Sequence, residues 1–145
     1  MIDFKKSLSE AIEVAKKAIS NKDEVQDVFA ELNKQLDEAT TGSLLIEIRK
    51  ETEPVSITKM MTTLSEPKTY FAIVAKNPKF PKVSAELARW FQDASGYPCR
   101  ISAPEGGSIY CEDRASLEKA LSDLLKKSVV AQELYRLINF EAIQK

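Results

Sequence analysis

The residues of this chain whose types and spacing could carry chemistry fall into three groups. They are the cysteines Cys99 and Cys111, the acids Asp23, Asp27 and Glu31, and the lysines Lys76, Lys79 and Lys82 around Phe80. The chain has no histidine, which removes Ser-His and Cys-His nucleophilic pairs and every His-based metal site.

Cys99, Ile101 and Ala103 alternate with Arg100 and Ser102, and beyond Pro104-Glu105-Gly106-Gly107 the residues Ile109 and Cys111 alternate with Ser108, Tyr110 and Glu112. This is the pattern of a hairpin. Both apolar sets share a face only if cross-strand partners sum to an even number. The register summing to 210 pairs Ile101 with Ile109 and Cys99 with Cys111. Such a pair could form a cross-strand disulfide or a redox switch. The competing reading, two small buried hydrophobes that stay reduced, is the expectation here. Cys111 lies two residues before a helix cap at Asp113, a position that lowers a thiol pKa, but Glu112 and Asp113 act in the opposite direction.

Asp23, Asp27 and Glu31 recur every fourth residue, on one helix face, where oxygen ligands could hold Mg²⁺ or Ca²⁺. That face lies opposite the apolar stripe, so solvated acids are expected and no metal. Tyr70, Tyr97, Glu105 and Glu112 show no spacing that supports carboxylate hydrolysis. Gly106-Gly107 belongs to the hairpin turn and cradles no phosphate. The expectation is a protein without enzymatic activity, cofactor or metal.

Lys76, Lys79 and Lys82, with Lys68 near the other end of the same strand, frame Phe80 between Pro78 and Pro81. This loop is the candidate binding surface: an anion or nucleic-acid contact with Phe80 as a stacking platform. The alternative is a plain connection, with Phe80 tucked beneath its own loop and the lysines solvated. A net charge of -1 over 145 residues supplies no global field for nucleic acid.

A hydrophobic content of 43% with 30% charged residues is that of a soluble globular protein. One α+β domain over 1–145 is expected, with a helical segment 1–40, a sheet region 43–112 and C-terminal helices over 113–145. The residues MIDFKKSLSE, with an acid at position 3 and no apolar run, are not expected to act as a signal peptide, and no stretch approaches the apolar length of a membrane span. The expected compartment is the cytoplasm.

The elements that must position these residues begin with two helices. Phe4, Leu8, Ala11, Ile12, Ala15 and Ile19 form one stripe after an Asp3 cap, and Val25, Val28, Phe29, Leu32 and Leu36 form another. The stripes are rotated by about a quarter turn, so one straight helix cannot bury both. A break is expected at Ser20-Asn21, and an end at Thr41-Gly42. Strands follow at 44–48, more weakly at 55–61, and at 69–76. Ser84 is expected to cap a short helix with Leu87, Trp90, Phe91 and Ala94 on its stripe, closed by Gly96, with Trp90 in the core. After the hairpin, Asp113 caps a helix carrying Leu117, Ala120, Leu121, Leu124 and Leu125, and a last helix follows a break near Ser128.

The order α-α-β-β-β-α-β-β-α-α implies a mainly antiparallel sheet of about five strands. In element order alone it resembles the small acidic secretion chaperones, which implies a role in binding protein. On the last helix Val130, Leu134, Leu137 and Ile138 form a core set that leaves out Tyr135, Phe140 and Ile143. Either the tail folds back or these three meet another chain, and the second is expected, as a homodimer. The functional expectation is a small interaction module (binding, adaptor or chaperone-like). The alternative is a nucleic-acid-associated accessory protein using loop 76–82.

Overall fold

The computed structural model describes residues 1–53 and 68–140. The Asp3 carboxylate accepts the backbone N–H groups of Lys5 and Lys6 at 3.1 Å each, and from this cap one helix, α1 (Phe4–Thr40), runs without interruption. Its 37 residues span about 55 Å. It ends where expected, with Thr41 in the left-handed region at φ 55° and Gly42 at φ 77°.

The break expected at Ser20-Asn21 does not occur. Asn21 caps nothing; its amide donates to the Ser95 carbonyl at 3.0 Å. Gly96 makes this approach possible, because a Cβ built there would lie 2.4 Å from Cβ of Asn21. A single helix accommodates two stripes by burying only the second. Val25, Val28 and Phe29 are buried, whereas every residue from 1 to 17 is exposed.

Five strands follow: β1 (Leu45–Thr52), β2 (Thr69–Lys76), β3 (Ser84–Gln92), β4 (Cys99–Ser102) and β5 (Ser108–Cys111). They form one antiparallel meander in the order β1-β2-β3-β4-β5. The weak strand expected at 55–61 lies outside the described residues. The helix expected from Ser84 is the strand β3. Its partner register changes from Ile73↔Ala88 to Val74↔Glu86, so Leu87 is an extra, bulged residue. The bulge puts Leu87, Ala88 and Trp90 all into the core, a spacing that imitates a helical stripe. Gly96 correspondingly closes a turn on the Asp93 carbonyl at 2.8 Å and is no helix cap.

The core joins Val25 and Phe29 of α1 to Ile46, Ile73, Trp90, Ile101 and both cysteines on one sheet face. Phe29 meets Trp90 edge-on with ring centroids 5.4 Å apart. On the other face Ala72 lies between Arg49 and Arg89, and Val74 between Glu47 and Glu86. Both small side chains are buried, among neighbours with long aliphatic stems.

The chain closes with α2 (Arg114–Leu125) and α3 (Ser128–Ile138). Asp113 caps α2 as expected, in a capping box with Ser116. Buried Asn77 ties β2 to α3 by donating to the Leu137 carbonyl at 2.9 Å. The architecture is α+β with an antiparallel sheet, one helix before it and two after. No helix interrupts the strands among the described residues, so the likeness to secretion-chaperone order does not hold. No helix among the described residues is long and apolar enough to cross a membrane.

Candidate functional site

Loop 76–82 does not gather its lysines. Lys76 Nζ pairs with the Glu47 carboxylate at 3.4 Å, and Lys79 Nζ donates to Ser43 Oγ at 3.3 Å, while Lys82 and Lys68 are exposed. Phe80 is half-buried, with its ring edge against Phe140 at 5.1 Å. The loop is further fixed by Asn77, whose Oδ1 accepts the Lys79 N–H at 3.0 Å. This is a joint between β2 and the end of α3, and its aromatic face is already occupied.

The C-terminal residues are not brought together either. Tyr135 is exposed, Phe140 rests on Phe80, and Ile143 lies outside the described residues.

Cys99 and Cys111 are free and fully buried. Burial, and then the neighbouring Cys111, push the Cys99 thiol up to about 12. Burial, and then Asp113, push Cys111 up. Thiols held protonated in this way make poor nucleophiles. Asp23 and Asp27 line a shallow recess with Glu24, Lys16 and Arg114. Among the described residues no three acidic or sulfur ligands converge as a metal site.

On the outer sheet face Tyr70, Phe91 and Tyr110 stand among arginines. The Arg89 guanidinium lies 4.0 Å over the Tyr70 ring and pairs with Glu53 at 2.7 Å. The Tyr70 hydroxyl donates to Glu86 at 2.6 Å, a bond that raises its pKa. Arg100 sits 5.2 Å over Phe91. The charges here are largely answered within the face, and two of its rings are covered by arginines.

The surface that stands out is the free half of α1. Phe4, Leu8, Ile12 and Ile19 are 72%, 63%, 47% and 60% exposed. They lie on one helix side with Ala11 and Ala15 between them, on a rod that projects about 25 Å past its first hydrogen bond to the sheet region, at Asn21. Sequence reasoning recognised this stripe but assigned it to the core. A signal against that assignment was present: the same helix side turns polar further on, at Lys22 and Gln26. A cover that runs straight along Phe4 and Leu8 therefore meets Lys22 and Gln26 further on, not Val25 and Val28.

Comparison with known protein families, with curated proteins and with solved structures returns no match for this chain.

Proposed function

We propose that this protein is a non-enzymatic interaction module, with a binding, adaptor or chaperone-like role, that engages another polypeptide through the projecting half of α1. The observation that carries the reading is the continuous exposure of Phe4, Leu8, Ile12 and Ile19 on one side of the helix. Full burial of each such side chain is worth about 1.5–3 kcal/mol. A contiguous apolar patch of this kind is a mark of an interaction site. An undocked helix of this length is also marginal in water, so a partner would stabilise the rod as well as cover it. The two buried free thiols are in keeping with a cytoplasmic setting.

Lysine-directed cross-linking in the cells that make the protein tests the reading. Wild type should yield a polypeptide adduct through Lys5 or Lys16, and Leu8→Asp with Ile12→Asp should not. Equal adducts from both proteins, or none from wild type, would remove the proposal.

A further inference from the structure

Residues eighteen apart on an α-helix are separated by about five full turns and lie on the same side. Phe4 is therefore in line with Lys22, Leu8 with Gln26, Ile12 with Ala30 and Ala15 with Asn33. In the docked half this side looks toward β1, because Asn33 donates to the Ile46 carbonyl and accepts the Ile46 N–H, both at 2.8 Å. Val28 and Leu32, which line the groove toward α2, lie on another side.

Beyond Ile46 the core face of the sheet is left partly bare by the described residues. Ile48, paired with Ile73, is 36% exposed, and Phe71, paired with Trp90, is 50% exposed. Gln26 and Ala30, on the helix side in line with Leu8 and Ile12, are exposed. The apolar stripe of the free half thus lies on the helix side that, in the docked half, looks toward β1, the strand that carries Ile48.

We infer that the polypeptide bound by the stripe is a second copy of this chain, in a two-fold dimer whose α1 helices run antiparallel, each free half lying on the Ile48–Phe71 corner of its partner. The inference rests on the interaction-module reading and names its partner. Charge supports the antiparallel sense. Residues 1–20 carry Lys5, Lys6, Lys16 and Lys17 against Asp3, Glu10 and Glu13, whereas residues 21–40 carry Lys22 and Lys34 against Asp23, Glu24, Asp27, Glu31, Asp37 and Glu38. An antiparallel pair sets the basic half against the acidic half, and a parallel pair sets like against like.

The area suffices. The exposed parts of Phe4, Leu8, Ile12, Ile19, Ile48 and Phe71 amount to on the order of 1,200 Å² over two copies, the lower bound for a specific interface before any polar rim is counted.

Sedimentation of the full chain tests this, using wild type, Leu8→Asp, Phe71→Asp and a 1:1 mixture of the two variants. Both side chains are at least half exposed, and a retained cooperative unfolding transition would confirm that the variants fold, with a midpoint lowered only by as much as the loss of dimer accounts for. Wild type should be dimeric at about 50 µM, and each variant should raise the dissociation constant by about tenfold or more. The mixture should recover dimer, because the intact helix of one variant meets the intact corner of the other at one of two equivalent half-sites. A monomeric wild type, an unaffected Phe71→Asp, or no recovery on mixing overturns the inference. If wild type is monomeric while the cellular adduct persists and is lost in Leu8→Asp/Ile12→Asp, the interaction reading stands and the second copy does not.

Discussion

Cys99 and Cys111 stand directly opposite one another on β4 and β5, both fully buried and both free thiols. Directly opposed residues have Cα atoms about 4.5–5.5 Å apart, within disulfide reach. What keeps the pair inert is burial. Maleimide labelling of either thiol in the native protein should be about 100-fold slower than in urea, since it requires opening of the hairpin. The sign of the pH effect follows from the shift. A thiol whose folded pKa is raised from 9.0 to about 12 contributes full stability below the unfolded value and loses it as pH climbs between the two. Thermal midpoints should therefore fall above pH 9, and less steeply in Cys99→Ala. Rapid native labelling would refute the closed hairpin.

Asn33 acts as a strand partner made from a side chain. It satisfies both the N–H and the carbonyl of Ile46 at the free edge of β1, a position that otherwise invites edge pairing. Asn33→Ala should cost about 1–3 kcal/mol, since two part-buried backbone groups lose their partner. Asn33→Asp keeps the acceptor but turns a carboxylate toward a carbonyl. Its stability should accordingly recover as pH falls through the raised pKa of the new carboxyl. Denaturant titration at two pH values decides the matter, and a pH-independent deficit in Asn33→Asp would contradict this geometry.

The elements legible in the sequence are those whose local signals agree with their tertiary setting. The hairpin is one, where alternation, turn glycines and even-sum register all point to Cys99↔Cys111. The cap of α2 at Asp113 is another. β3 was not legible, because Ser84-Ala-Glu-Leu-Ala-Arg favours a helix by propensity and the bulge at Leu87 replaces the strand period with an apparent helical one. Pairing with β2 and β4 overrides both signals. The continuity of α1 and its exposed surface were missed for a related reason: a stripe left exposed has the same pattern as one that serves the chain's own core. The lysines of loop 76–82 carried a functional pattern by type and spacing, but their partners, Glu47 and Ser43, lie far away in sequence.

The approach of α1 to the β3–β4 turn at Asn21 depends on one glycine. Gly96 has φ 96°, and a Cβ there would also meet the Lys22 amide nitrogen at 3.0 Å. Gly96→Ala combines left-handed strain with overpacking against backbone and should cost roughly 2–5 kcal/mol. Amide exchange should accelerate most around Asn21 and Ser95, where the helix would lift from the turn. A loss below about 1 kcal/mol would mean that helix and turn are not in contact in solution.

Phe140 separates two fates for the C-terminal tail. The sequence suggested that it meets another chain, whereas its ring lies against Phe80 with planes inclined at 64°. Aromatic pairs of this geometry are coupled by about 0.5–1.5 kcal/mol beyond the area they bury. A double-mutant cycle on Phe80→Ala and Phe140→Ala should return a coupling in that range, because each variant removes the same contact. Phe140→Ser should lower the unfolding free energy and leave the sedimentation behaviour of wild type intact. The opposite outcome, unchanged stability with altered association, would return Phe140 to an interface and show that the contact with Phe80 does not form in solution. Phe140 rests on Phe80 and Leu8 stands exposed on the free half of α1, so with no shared contact the effects of Leu8→Asp and Phe140→Ser on association should be independent, and only the first should be large.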